Sequence, residues 1–255
     1  MRFVTFRGLF SLIALGSLAG LSQQAQAQWS GKGEAGVVIA NGNTNTKNAN
    51  AKLELSDKIG DWKHTFGADG VFAAADSITT GQRWEAYEQS EYSLDPKDFW
   101  LGAARYENDR FSGFTYQGTI STGLGRHFID NDRTKLTGTA GVGYKIFETR
   151  DVFDAAGVLV EPSDRGSQAV FRGTIDFAQT LTDTTKLTDK FLVESGSNNT
   201  FFQNDIAIQV KISDVLALAA GYSIRHNTDP PINFKKTDTL TTLNLVYEIK
   251  PPSGP

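Results

Sequence analysis

The sequence predicts an all-β chain: a transmembrane, antiparallel, up-and-down β-barrel of about 12 strands behind a cleaved signal peptide. Three observations predict it. Apolar and polar residues alternate with period two along most of the chain, and helical periodicity is nearly absent. Twelve such segments follow one another, each about as long as the ~9–11 residues that a tilted strand needs to cross a bilayer. The connections alternate, tight after every even segment and longer after every odd one, which is the rhythm of outer-membrane barrels.

The segments run 29–41, 48–57, 61–73, 82–94, 98–108, 114–128, 134–148, 168–180, 185–195, 200–212, 215–226 and 237–249. In 48–57, Ala49, Ala51, Leu53 and Leu55 alternate with Asn50, Lys52, Glu54 and Ser56. In 202–212, Phe202, Ile206, Ile208, Val210 and Ile212 share one face with Asn204, against Gln203, Asp205, Gln209 and Lys211. Tight turns follow the even segments, at Asp57 to Asp61, Asp95 to Asp98, Asp130 to Arg133, Thr182 to Thr184 and Ser213-Asp214. Longer polar loops follow the odd ones, at Asn41 to Lys47, Ala74 to Gly81, Asn108 to Gly113, 149–167, Ser195 to Asn199 and His226 to Lys236. The asparagines Asn41, Asn43, Asn45, Asn48 and Asn50 read as turn chemistry, because Asn tolerates the left-handed conformation.

Composition narrows the possibilities. The 255 residues hold 25 Lys and Arg against 29 Asp and Glu, a net charge of −4, and no Cys. The absence of Cys excludes a disulfide framework, a thiolate metal site and a Cys nucleophile. The acidic balance argues against nucleic acid as a partner. A mean hydropathy of −0.31 speaks against a bundle of membrane helices.

Residues 1–27 read as the signal peptide. Arg2 and Arg7 make a positive start, Leu9 to Leu21 is apolar, and Ala25-Gln26-Ala27 is a small-x-small cleavage site. The barrel domain is then 28–250, with 251–255 as a short tail. Export by a Gram-negative bacterium and a place in its outer membrane follow as expectations. The expected partners are outer-membrane lipid and lipopolysaccharide, the barrel assembly machinery, and small ions or solutes.

Aromatic residues gather near the segment ends, where membrane-water interfaces collect them. Trp29, Trp62, Trp84, Tyr92, Trp100, Tyr106, Tyr116, Tyr144, Tyr222 and Tyr247 form the predicted girdles, with Phe99 and Phe128 at the tight-turn end. If the apolar face meets lipid, the lumen receives Lys32, Lys52, Lys63, Arg83, Arg105, Lys135, Lys145, Arg172, Lys190, Lys211 and Arg225. It also receives Glu34, Glu54, Asp69, Glu85, Glu91, Glu107, Asp176, Glu194 and Asp205. Eleven positive against nine negative is a balanced set, whereas a strongly selective pore shows a ring of one sign. Gly67, Gly123, Gly125, Gly141, Gly143 and Gly221 make room among these long side chains. Glu88 and Asp189 fall on the lipid face, which predicts a bulge or a register change there.

No catalytic residue, cofactor or metal site is predicted. His64, His127 and His226 have no metal-ligand spacing. The sharper alternative is an outer-membrane enzyme acting on lipid or peptide at the loop rim. There Asp109, Asp151, Asp154, Asp164 and Asp229 accompany His226, but no G-x-S-x-G elbow is present.

Several motifs in order carry a resemblance: Trp29 followed by Gly42-Asn43-Thr44-Asn45-Thr46, Trp62-Lys63-His64, Tyr106-Glu107-Asn108-Asp109-Arg110-Phe111-Ser112-Gly113, Gly123-Leu124-Gly125 and Gly141-Val142-Gly143-Tyr144. The chain resembles the salt-induced outer membrane protein family (YdiY-like), a family of unknown function, over essentially the whole mature sequence. The resemblance implies an outer-membrane barrel with a stress-linked role and brings no catalytic residues. On this footing the expected function is a structural or porin-like barrel with a narrow, low-conductance pore. One departure stands out. Such proteins usually end on an aromatic residue, whereas this chain ends its last strand at Tyr247-Glu248-Ile249-Lys250 and adds Pro251 to Pro255.

Overall fold

A computed structural model describes residues 29–40, 46–76, 78–110, 112–154 and 156–250. The leader 1–27, the tail 251–255, and Asn41, Asn43 and Asn45 lie outside the described residues. The strands are β1 (Ser30–Ala40), β2 (Thr46–Ile59), β3 (Trp62–Ala75), β4 (Ile78–Ser93), β5 (Asp98–Asp109), β6 (Phe114–Asp130) and β7 (Thr134–Thr149). A small pair follows, β8 (Val152–Phe153) and β9 (Leu159–Glu161). Then come β10 (Arg165–Thr180), β11 (Thr185–Gly196), β12 (Thr200–Lys211), β13 (Leu216–Asn227) and β14 (Thr237–Ile249). Twelve of them form a closed barrel in which every strand pairs antiparallel with its chain neighbour and β1 pairs with β14. In a bilayer this closure is obligatory, because an open edge leaves backbone donors and acceptors unsatisfied.

The tight turns are built by side chains that cap the backbone. Asp95 Oδ1 accepts from the amides of Lys97 (2.7 Å) and Asp98 (2.8 Å), which holds its carboxyl below the usual carboxylate range. Asn131 Oδ1 does the same for Arg133 and Thr134, and Thr182 Oγ1 for Thr184 and Thr185. Ser213 Oγ accepts from Val215 and Leu216. These are Asx and Ser/Thr turns, in which a short polar side chain replaces a backbone acceptor.

The other end departs from the sequence expectation in three places. The β3–β4 connection is tight, because β4 begins at Ile78 and pairs with the end of β3 through a bulge after Ala73. The 149–167 segment is not one plain loop, since β8 and β9 pair within it. Asn48 and Asn50 belong to β2 rather than to a turn, and Asn50 donates to Asn244 Oδ1 at 2.9 Å.

The period-two pattern sorts the side chains. Leu53, Phe66, Val142, Ile175 and Leu243 are exposed on the outer wall, with Trp29, Trp62, Trp84, Tyr92, Trp100, Tyr106, Tyr144, Tyr222 and Tyr247. Tyr116 stacks on Tyr106 at 6.0 Å. Phe99 is not among them: it is buried on the inner face, its ring lying in the space beside Gly125. Tyr87 fills the space beside Gly67 in the same way, so neither glycine leaves the lumen open. The register runs unbroken through Glu88 and Asp189, and neither a bulge nor a shift occurs there. Instead Ser90 Oγ donates to Glu88 and Asn204 Nδ2 donates to Asp189, each at 2.5 Å.

Two arginine substitutions test the assignment of faces. Leu243→Arg places a cation on the outer wall halfway along β14 and should cost ~2–4 kcal/mol. Gln209→Arg places one inside, where Gln209 now donates to Glu248 at 3.0 Å, and should stay within ~0.5 kcal/mol of the parent. Urea unfolding in lipid bilayers compares them, and equal costs would refute the assignment.

Candidate functional site: a charged plug above a cavity

The lumen has two zones. Toward the long loops it is filled by charged side chains packed around Arg105, on β5. Arg105 Nη2 donates to Glu85 Oε2 on β4 at 2.6 Å and also bonds Glu107. Its Nη1 stands 3.9 Å from Glu194 Oε2 on β11. Arg225, on β13, donates to both carboxylate oxygens of Glu107 at 2.6 Å. Lys145, on β7, donates to Glu194 Oε2 at 3.1 Å, and Arg172 Nε on β10 lies 4.0 Å from Glu194 Oε1. Glu107 and Glu194 are 0 % and 1 % exposed.

The Arg225–Glu107 pair spans the bore. In the barrel order, β13 and β5 are six strands apart in a ring of twelve, on opposite walls. Phe201, at the start of β12, is 1 % exposed and stands in the middle of the cations. Its ring centroid is 5.0 Å from Arg225 Cζ, 5.3 Å from Arg105 Cζ and 5.4 Å from Lys145 Nζ. A desolvated cation over an aromatic face gains ~2 kcal/mol, so Phe201 offsets part of the cost of burying these charges.

The loops close over this plug. Phe114 and Val152 are buried, and Phe114 meets Phe147 edge-on at 5.8 Å. Gly113, with φ of +83°, carries the chain against Phe234 and Pro231, where a Cβ would collide with both. Asn199 bonds Asn227, Thr228 and the Asp229 amide, tying two loops together.

Toward the tight turns the lumen is open. A cavity of about 740 Å³ has Glu85, Arg105 and Arg172 at its inner end and Ser30, Gly31 and Lys250 at its mouth. Its wall carries both signs. Lys190 donates to Glu54 Oε2 at 2.8 Å, and the Tyr87 hydroxyl to the same oxygen at 2.7 Å. Lys63 lies 3.4 Å from Glu91, and two lining residues pair with charges outside the lining, Lys32 with Glu34 at 2.9 Å and Asp69 with Arg83 at 3.0 Å. Lys52, Asp176 and Asp205 line the cavity, and Gln203 donates to Asp205 at 2.8 Å. Lys135 and Lys211 sit near the rim with Asp130 (2.7 Å) and Asp214 (3.0 Å).

Sequence reasoning singled out the charges but missed Phe201, Tyr87 and Asn244. A Phe in phase with Gln203 and Asp205 rather than with Phe202 was the available signal. The rim acids have local work. Asp151 and Asp154 accept from backbone amides at Ser163, Ala156 and Val158, and Asp164 from Arg165. His226 Nδ1 bonds Thr237 at 2.8 Å, and His127 Nδ1 bonds Thr137 at 2.9 Å. At the loop rim the Nδ1 partner of His226 is thus a threonine hydroxyl and not one of these acids.

Residues 33–249 match a family described as a protein of unknown function, DUF481. An Escherichia coli (strain K12) protein of uncharacterised role, YdiY, is 25% identical over 171 residues, which span 67% of this chain and 63% of that protein, just under two thirds of its length. Among solved structures, the translocator domain of the autotransporter NalP from Neisseria meningitidis aligns with a TM-score of 0.50 at 12% identity, covering 86% of this chain and 87% of that one. The NanC porin aligns with a TM-score of 0.45 at 10% identity, covering 88% and 100%. The NalP likeness places the closed barrel within the architecture of outer-membrane barrels.

Removing one member of the plug leaves buried charge uncompensated. Arg105→Met strips the shared partner from Glu85, Glu107 and Glu194 and should destabilise by ~3–5 kcal/mol. Arg126→Ala breaks an exposed pair with Asp98 and should cost ~0–1 kcal/mol. Thermal and urea unfolding of the two variants measure the difference.

Proposed function

We propose, for a chain that belongs to the DUF481 family of proteins of unknown function, the role of a bacterial outer-membrane barrel with a narrow, low-conductance lumen that excludes large solutes. The observation that carries this reading is the Arg225–Glu107 pair, which crosses the bore with Phe201 packed beside it. A twelve-strand barrel is wider than the eight-strand ones that side chains fill, so its bore has to be narrowed by particular residues. The balanced signs around the cavity support weak ion selectivity. The short side chains that cap the turns at the open end suit the periplasmic side, where such barrels have short turns. A structural role in the envelope, linked to salt or envelope stress, is the part of the proposal that the family resemblance suggests. Export is proposed to follow cleavage after Ala27, with assembly machinery, lipid and lipopolysaccharide as partners.

Planar-bilayer recording tests the pore. The parent protein should give small conductance steps with weak selectivity. The double variant Glu107→Ala/Arg225→Ala, which removes both partners of the crossing pair, should raise conductance several-fold, and Phe201→Ala should raise it less. A large, stable, strongly anion- or cation-selective conductance from the parent would refute the reading. N-terminal sequencing of the membrane-inserted protein should read Gln28 first; a chain still beginning at Met1 would overturn the proposed processing.

A further inference from the structure

The outer wall carries a polar constellation that a lipid-facing surface does not need for folding. Strands β2, β3 and β4 place Asp57, His64 and Ser90 in one cross-strand row: Asp57 is the register partner of His64, and His64 of Ser90. All three are in phase with outward residues, Leu53 on β2, Phe66 on β3 and Trp84 on β4. Ser90 Oγ donates to Glu88 Oε1 at 2.5 Å, so His64 Nδ1, 2.7 Å away, is the donor to Ser90. Asp57 is 4 % exposed, yet its Oδ1 has no hydrogen-bond partner. Among the described residues no Lys or Arg nitrogen lies within 4.0 Å of either carboxylate; the nearest basic atom is His64 Nδ1, 4.0 Å from Glu88. The next position in the row is Gly102, register partner of Ser90 on β5, which adds no side chain.

The row borders the aromatic cluster at the tight-turn end. Trp62 stacks on His64 with centroids 5.9 Å apart and planes within 4°, and Trp62 meets Tyr92 at 5.0 Å and Trp100 at 6.1 Å. Tilted strands climb ~2.5 Å per residue along the membrane normal, so His64 and Ser90 lie ~5 Å above these rings. Glu88 starts deeper and turns its carboxyl back toward Ser90, as a polar side chain near an interface does. Two carboxylates are thus held where headgroups meet acyl chains, beside the rings of Trp62, Tyr92 and Trp100, with no Lys or Arg among the described residues within 4.0 Å of them.

We propose that this row binds the headgroup of a membrane phospholipid that carries a primary ammonium. An ammonium brings three N–H donors and a positive charge. It supplies the counter-charge that no Lys or Arg gives Glu88 and a cation for the faces of Trp62 and Trp100, and, once the covered Asp57 side chain turns toward it, the donor that Asp57 Oδ1 lacks. Asp189 is the internal contrast. It too lies on the outer wall, but there the Asn204 amide donates to the carboxylate at 2.5 Å. The direction of the proton argues against ester hydrolysis. Asp57 and Ser90 flank His64 in the row, but Ser90 gives its proton to Glu88 and His64 Nδ1 donates to Ser90, so the imidazole is not placed to take the serine proton as in a hydrolytic triad.

Native mass spectrometry of the detergent-solubilised protein tests the site. The protein is equilibrated with equal amounts of phosphatidylethanolamine, its N-trimethylated analogue phosphatidylcholine, and phosphatidylglycerol. Retention of phosphatidylethanolamine should exceed that of the other two by several-fold, because only its headgroup combines the charge with N–H donors. Glu88→Gln keeps the shape and removes a lipid-facing charge, so it should fold; it should reduce the preference, and Glu88→Gln/Asp57→Asn should erase it. Asp189→Asn should leave it intact. An excess of soluble phosphoethanolamine should not displace the bound lipid, since the acyl chains hold it to the wall; displacement would overturn the lipid as occupant. Equal retention of the three lipids by the parent, or a preference that survives the double variant, would overturn the site. Heat-modifiable gel mobility confirms that each variant is a folded barrel.

Discussion

Everything in this molecule depends on the ring of backbone hydrogen bonds being closed. A strand buried in hydrocarbon has no water to satisfy its amides, so each strand needs two neighbours. The chain achieves this by simple repetition, each strand turning back on the last, until β14 meets β1. The closing seam pairs Gly31 to Ala35 with Leu245 to Ile249, a shorter ladder than the neighbouring β1–β2 pairing. Once the ring exists, alternation does the rest. Every second residue has to suit lipid, and every other one is confined to a shared interior.

That interior explains the composition. A soluble protein of this length places most of its charge in water, whereas this one encloses much of it. The enclosed charges do not form one field. At the loop end they are dry, mutually paired and backed by Phe201, and they behave as packing material. At the tight-turn end they line a cavity and stay within reach of solvent. The same residue types serve opposite purposes, and burial separates them.

Much of this was legible in the sequence because period two is a local signal. The twelve barrel strands fall on the twelve predicted segments, and the capping residues Asp95, Asn131, Thr182 and Ser213 sit in the turns that the pattern marks. What the sequence hid is non-local. Glu107 and Arg225 are 118 positions apart, and only closure brings them together. Phe201 looks like a girdle residue until its phase is followed, and Phe99 does so as well. Glu88 and Asp189 break the alternation without bending the backbone, because Ser90 and Asn204 supply their hydrogen bonds from the same face. The early start of β4 depends on a bulge after Ala73 that no residue type announces.

The crossing pair also bears on how the barrel is kept, as distinct from how it is held together. Arg225 and Glu107 cannot meet while the sheet is open, since their strands lie six apart around the ring. Their charges stay hydrated until the last seam forms, and desolvation and pairing come together at the end. Interactions made after the rate-limiting step leave the folding rate nearly unchanged and act almost wholly on unfolding. The plug is in that sense a latch set by the final event of assembly: spreading the β5 and β13 walls apart breaks it, and its persistence is a matter of escape rate more than of equilibrium.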